Sequence, residues 1–177
     1  MTNAFRQTGV FDPIPIAKEL ENTALWNWMN IRRLNVKTDH YDTEDIILRY
    51  QKVTYPMSMQ DFYDDMDCVD YFVQSRFPKT LFTIAKLFLN QEIGRIVIAK
   101  LKAGAHITPH KDEGKYCEAY DRYHLSVTTN DQVFVTSSNE TIHMPAGTAW
   151  WFNNKETHEV INKGLEDRIH IIVDTVR

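Results

Sequence analysis

From Gly94 onward the chain reads as one short β-branched run after another, each closed by turn-forming residues, and nothing else in the sequence constrains its fold as strongly. The strand candidates are Arg95 to Leu101, Tyr123 to Thr128, Gln132 to Thr136, Glu140 to Met144, Thr148 to Phe152, His158 to Asn162 and Arg168 to Val173. Between them lie Ala103-Gly104, Thr129-Asn130-Asp131, Ser137-Ser138-Asn139, Pro145-Ala146-Gly147, Asn153-Asn154 and Lys163-Gly164. β-Branched and aromatic side chains suit a pleated surface, while Gly, Asn, Asp and Pro supply the backbone reversals. Strands this short and closely spaced favour an antiparallel sandwich or barrel.

The chain before Gly94 has a different texture, mixing acidic and aromatic residues with helix-like spacing. Asp12-Pro13-Ile14-Pro15 leads into a predicted helix from Ala17 to Trp28, with Leu20, Ala24, Leu25 and Trp28 on one side. Asp61 to Phe72 is compatible with a helix whose polar face carries Asp64, Asp65 and Asp67. Pro78 opens a further predicted helix, Lys79 to Asn90, along which Leu81, Ile84, Ala85, Leu87 and Phe88 recur. A chain of 177 residues is the size of one domain. We therefore expect a single domain over 1–177, in which a mixed, helical part (1–93) supports a β core (94–177).

A formal charge of −4 argues against a nucleic-acid partner. Cys68 and Cys117 form neither a disulfide framework nor a CxxC metal pattern, which points to a reducing compartment. No apolar stretch reaches membrane-spanning length, and residues 1–30 lack the layout of a secretory signal. The expectation is a cytoplasmic protein without a membrane partner.

Chemistry concentrates at His110-Lys111-Asp112 and, much later, at His158 and Arg168. Alternate residues of an extended segment point the same way, so His110 and Asp112 can converge while Lys111 turns outward. Pro109 biases the residue before it toward an extended conformation. Two imidazoles and one carboxylate can cap one face of an octahedral metal, leaving three positions for a bidentate co-substrate and dioxygen. Taken alone, His110-Lys111-Asp112 reads better as a solvated surface loop, and His158 equally as a residue capping a polar turn.

Arg168 begins an otherwise apolar strand, where a buried guanidinium needs an anionic partner. That partner is either a protein carboxylate, Asp174 or Glu166, or a bound dicarboxylate such as 2-oxoglutarate, whose far end a guanidinium fork would hold. Arg122 and His124 also share a strand face. They either add to an anion pocket or are a surface pair of Arg122 with Asp121 or Glu118 beside a core histidine.

His110-x-Asp112, Arg122-x-His124-Leu125, Pro145-Ala146-Gly147-x-x-Trp150-x-Phe152-Asn153, His158-x-Val160-x-Asn162 and Arg168-x-His170-Ile171-x-x-Asp174 occur in one order along the chain. In that order and spacing they resemble the aspartyl/asparaginyl β-hydroxylase family of iron(II)- and 2-oxoglutarate-dependent oxygenases, over residues 94–176. The resemblance implies a double-stranded β-helix (jelly-roll, cupin-like) core, mainly β with flanking helices, braced by the N-terminal helices. His110 and His158 match the family's metal-binding histidines, and Asp112 the carboxylate ligand that some members lack. Arg168 and His124 match contacts to 2-oxoglutarate, and Arg122 a position near co-substrate or substrate.

Trp150 and Phe152 are read as core or cavity wall; His170 and Asp174 match the pattern without a role. His40, His106 and His143 have no motif support and are read as structural or exposed. The implied activity is hydroxylation of an unactivated C–H bond on an amino-acid side chain of Asp, Asn or Pro type, free or within a polypeptide. Iron(II) is the implied cofactor, 2-oxoglutarate and dioxygen the co-substrates, succinate and carbon dioxide the co-products. The competing readings are a non-enzymatic cupin-like carboxylate-binding or structural protein and a zinc hydrolase. No glutamate stands in an obvious general-base motif beside the histidines, which weakens the hydrolase.

Overall fold

Two antiparallel sheets face each other in the computed structural model, which describes residues 4–29, 42–52 and 64–177. The strands are β1 (Phe5–Val10), β2 (Thr43–Gln51), β3 (Cys68–Asp70), β4 (Ile93–Leu101), β5 (His106–His110), β6 (Tyr120–Thr128), β7 (Val133–Ser137), β8 (Glu140–Ile142), β9 (Thr148–Phe152), β10 (His158–Asn162) and β11 (Arg168–Val176). The helices are α1 (Ile14–Leu20), α2 (Pro78–Leu87) and α3 (Lys115–Ala119), and a 3-10 turn covers Phe72–Arg76. The larger sheet runs β1-β9-β6-β11-β4-β2-β3 and the smaller β5-β10-β7-β8. From β4 to β11 the chain keeps crossing between the two sheets, the winding of a double-stranded β-helix.

Period-two alternation divides the larger sheet into two chemical faces. Ile96 and Ile98 of β4, Leu125 and Val127 of β6 and Ile171 and Val173 of β11 form one apolar layer with Ile16 and Leu20 of α1 and Ile84 of α2. The opposite face meets the smaller sheet, where Phe5, Leu101 and Phe152 pack with Ile107, Val133, Val135 and Val160. Along the same inner face, β6 and β11 turn Arg122, His124, Arg168, His170 and Asp174 inward, all but the partly buried Arg122 being buried. Charged groups are rarely buried unless paired, so each of these needs a partner inside the protein or in a ligand.

Glycine matters at two places. Gly147 (φ +81) closes the Pro145-Ala146-Gly147 turn and accepts the Phe11 amide at 2.8 Å. A Cβ at Gly94 would lie 2.2 Å from Tyr116 Oη, the acceptor of the Arg95 amide, and 2.6 Å from the Tyr120 ring that stacks on Tyr116. We expect Gly94→Ala to cost about 2 kcal/mol by overpacking, read as a lowered midpoint in thermal unfolding; an unchanged midpoint would contradict the close approach.

Seven of the eight strands from β4 to β11 fall within a few residues of the sequence reading; β5 and α3 were not among its candidates, and the N-terminal part departs from it. The predicted helix from Ala17 to Trp28 is α1, which ends at Leu20. Thr23 Oγ1 then accepts the Leu25 amide and Asn27 takes φ +59, neither compatible with a continuing helix. In the Asp61 to Phe72 segment, residues 61–63 lie outside the described residues; from Cys68 the chain forms β3, paired with β2, and then enters the 3-10 turn. The predicted Lys79 to Asn90 helix is α2, from Pro78 to Leu87, whose first amides are received by the Glu19 carboxylate of α1. Residues before Gly94 thus supply not only helices but also β1, β2 and β3, which extend the larger sheet at both edges. Among the described residues no helix is long and apolar enough to cross a membrane.

Candidate metal centre

His110 ends β5 and His158 begins β10, and the antiparallel register sets them directly opposite each other. Their rings lie 4.3 Å apart between centroids. Pro109 is tolerated because β5 is an edge strand. His110 Nδ1 donates to Thr108 O at 2.7 Å and His158 Nδ1 to Glu156 O at 2.9 Å. A carbonyl can only accept, so each ring carries its proton on Nδ1 and presents Nε2 to a ligand, as metal-binding histidines do. Asp112 completes the set: its Oδ1 is 4.0 Å from His110 Nε2, and one donor atom from each of the three residues lies within 4.8 Å of the others.

The electrostatics suit a cation. Burial pushes the Asp112 carboxyl up, yet Arg122, His158 and His110 and the Asn154 amide override it and hold it well below the usual carboxylate range. Burial lowers His158, keeping its imidazole neutral and able to ligate. The residues present therefore fit a divalent metal: two neutral-capable nitrogen donors with fixed tautomers and one ionised carboxylate.

Arg122 does not meet Asp121 or Glu118. It donates Nε and Nη2 to the two oxygens of Asp174, each at 2.8 Å, and Nη1 to Asp112 Oδ2. Asp121 pairs instead with Arg177 at 2.9 Å. Arg122, expected near co-substrate or substrate, thus finds its anions within the protein. Asp174, considered as a partner for Arg168, is engaged by Arg122 with both oxygens, and Glu166 is exposed.

Arg168 is buried at the start of β11 and lines the same cavity as His110, Asp112, His124 and His158. Its Nη2 donates to His170 Nδ1 at 2.5 Å, so His170 is an acceptor here. His124 approaches His170 at 3.5 Å between Nδ1 atoms, and its Nε2 is buried without a hydrogen-bond partner. Such an atom in a cavity wall suits a polar ligand. Phe152 packs edge-on against both His124 and His158, at 5.3 and 4.7 Å, and with Val135, Val160 and Ile172 makes the apolar wall.

Burial, reinforced by neighbouring Arg168, holds His124 and His170 well below the ordinary histidine value. Above about pH 6.5 both rings are neutral whether the chain is folded or not. Below it the unfolded chain takes up protons that the buried rings refuse, so stability falls as pH falls. Urea unfolding of metal-free protein is expected to lose about 2 kcal/mol from about pH 7.5 to about pH 5.5. His170→Gln should shrink that loss, and a flat profile would contradict the assignment.

Sequence reasoning singled out His110, Asp112, His158, Arg168, His124 and Arg122, and the structure brings all six to the lining of one cavity. His106 pairs with Glu159 at 2.9 Å near the surface, and His143 Nδ1 meets Val133 O at 3.0 Å, matching a structural reading; His40 lies outside the described residues. Trp150 donates to Thr148 Oγ1 and packs against the inter-sheet core. Missed from sequence were Asn154, whose side chain donates to Asp112 Oδ2 at 3.1 Å, and Thr43 of β2, which lines the cavity. Asn154 had one signal, its place in a polar turn shortly before His158.

Fold and site together define a double-stranded β-helix protein with a His-Asp-His constellation between its sheets. Residues 67–177 match the family described as Aspartyl/Asparaginyl beta-hydroxylase, and the chain belongs to that family. Among solved structures, the fold is similar to an oxidoreductase of the 2OG-Fe(II) oxygenase family from Burkholderia pseudomallei, with TM-score 0.53 and 10% identity over 76% of this chain and 66% of that one. AerE from Microcystis aeruginosa aligns at TM-score 0.38 and 19% identity, over 47% of this chain and 36% of that one. A cupin domain from Bordetella pertussis Tohama I aligns at TM-score 0.39 and 13% identity, over 50% and 88%. The chain therefore spans about a third of AerE's length and 66% of the Burkholderia oxidoreductase's. No curated protein matches it.

Proposed function

We propose that this protein is an iron(II)- and 2-oxoglutarate-dependent dioxygenase that hydroxylates an unactivated C–H bond of an amino-acid side chain. The observation that carries the reading is one cavity lined by both the His110/Asp112/His158 set and Arg168 with His124. Membership of the Aspartyl/Asparaginyl beta-hydroxylase family supports it. A facial set occupies three positions of an octahedral ion and leaves three for co-substrate and dioxygen. Iron(II), when bound, supplies the oxidative chemistry that couples 2-oxoglutarate decarboxylation to hydroxylation, with succinate and carbon dioxide as co-products.

The protein's own contribution is placement. His110, Asp112 and His158 would hold the metal, and Arg168 would take the far carboxylate of 2-oxoglutarate through its fork, with His124 as a second polar contact. Phe152, Val135 and Val160 keep water from the space between. Asp112 acts as a ligand rather than a base, because Arg122 and its other neighbours hold its carboxyl well below the usual carboxylate range and so leave it little affinity for a proton. The substrate class is an aspartyl, asparaginyl or prolyl side chain, free or in a polypeptide, and the setting a reducing cytoplasm.

Anaerobic titration with iron(II) and 2-oxoglutarate tests the reading. A weak visible metal-to-ligand charge-transfer band is expected, and its absence in folded protein would sink the assignment in favour of a binding-only barrel. Screening free amino acids and peptides for succinate release together with a mass gain of one oxygen then finds the substrate.

A further inference from the structure

We infer that Arg122 and Asp174 are positioning residues that brace Asp112 to offer a single oxygen to the metal, rather than contacts to co-substrate or substrate. The inference rests on the metal-site reading above and adds a role for a pair of residues that the reaction itself does not use.

The brace arises from strand register. β6 and β11 pair so that Arg122 sits directly opposite Asp174, and the guanidinium meets that carboxylate through two parallel hydrogen bonds of 2.8 Å. Asp174 has 1% of its side chain exposed, so its charge depends on this guanidinium rather than on water for compensation. With that edge of the fork fixed, Nη1 is aimed at Asp112 Oδ2. Asn154 approaches the same oxygen from the other side at 3.1 Å, and its backbone carbonyl accepts the Asp112 amide at 3.2 Å. Oδ2 is thereby saturated by two donors, and Oδ1 is the atom left facing His110 Nε2 at 4.0 Å.

Charge explains why a second carboxylate is needed. Arg122 with Asp112 alone would be a neutral pair, and a metal would have to compete with the guanidinium for one carboxylate. Asp174 satisfies Arg122 independently, so the three groups together keep one net negative charge at the metal's edge. A carboxylate free to swing can also chelate through both oxygens and take one more coordination position. Holding Oδ2 away keeps that position open. Lysine would not serve equally well, because its ammonium is a point charge on a flexible stem and cannot span both carboxylates in a fixed plane.

The test is manganese(II) binding to purified metal-free protein, followed by the electron paramagnetic resonance signal of the free ion, with no turnover involved. Asp174→Asn is expected to weaken manganese binding about 10- to 100-fold, the usual cost of losing an outer-shell partner. The pair Arg122→Met with Asp174→Leu removes the brace with no change in the net charge of the site, and covers the case in which Asp174→Asn fails to fold. Folding is checked by near-ultraviolet circular dichroism, and the same weakening is expected. Arg122→Lys should recover part of the affinity, and Asp121→Asn, at a surface pair, none of the loss.

At saturating manganese the brace predicts that Arg122→Lys binds 2-oxoglutarate as wild type does. A more than about tenfold loss there would make Arg122 a co-substrate contact and overturn the inference. Wild-type affinity for manganese, to within about twofold, in the folded double variant would also overturn it while leaving the metal site intact. Folded wild-type protein that binds no manganese, like Asp112→Ala, would remove the metal-site reading and the brace together.

Discussion

His158→Ala is expected to abolish the iron and 2-oxoglutarate charge-transfer band and to lower any turnover by more than about 100-fold, since even outer-shell losses cost 10- to 100-fold. The geometry makes this residue hard to replace. Its backbone position is pinned by pairing on both sides, to His110 of β5 and to Ser137 of β7. Its tautomer is pinned by Glu156 O, and its ring is wedged against Phe152. Among the described residues no other histidine, cysteine or carboxylate belongs to the cluster.

The substitution also removes a buried polar ring, so its effect on folding should be small beside its effect on metal binding. We expect a cavity penalty of about 1 to 2 kcal/mol, partly offset because the protein no longer buries an imidazole. A thermal transition close to that of wild type, together with a lost band, identifies His158 as a ligand. A band that survives in the variant would mean the metal is held elsewhere.

How much of this was legible in the sequence depends on whether the cause is local. His110 and Asp112 could be read as a converging pair because alternation along an extended segment is a local rule. β10 and β11 could be bounded because HEVIN and RIHIIVDTV are apolar enough at alternate positions to declare a half-buried strand. β1 could not, since FRQTGV is an edge strand that exposes most of its residues and so carries little apolar pattern. β3, only three residues long, is made by its pairing with Arg49, Tyr50 and Gln51 of β2, which outweighs the helix-like spacing of the acids before it.

The same distinction divides the site. Arg122 and Asp174 are 52 residues apart, and only the register of β6 against β11 sets them face to face. Arg122 points inward, as alternation predicts, and lines the cavity, where it also meets two carboxylates with which the sequence did not pair it. Asn154 escaped notice because an Asn-Asn turn is common, whereas its reach to Asp112 comes from the loop joining β9 to β10 folding back over the end of β5.

Arg168→Ala is expected to raise the dissociation constant for 2-oxoglutarate about 100-fold, the scale of losing one charge-assisted, bidentate contact in a desolvated pocket. Manganese affinity should remain near that of wild type, because the hydrogen bond from Arg168 Nη2 runs to His170 Nδ1 and not to a metal-binding side chain. Since arginine can only donate, His170 must stay neutral to hold the guanidinium in place, as its burial ensures. One contact that steadies the guanidinium is therefore an uncharged acceptor. Arg168→Lys should recover little, since an ammonium lacks the planar fork that matches a carboxylate. Isothermal titration with 2-oxoglutarate at saturating manganese separates the cases. Weakened co-substrate with intact metal supports the anchor, and an unchanged affinity in both variants would leave Arg168 a structural residue and remove the main physical reason for choosing 2-oxoglutarate.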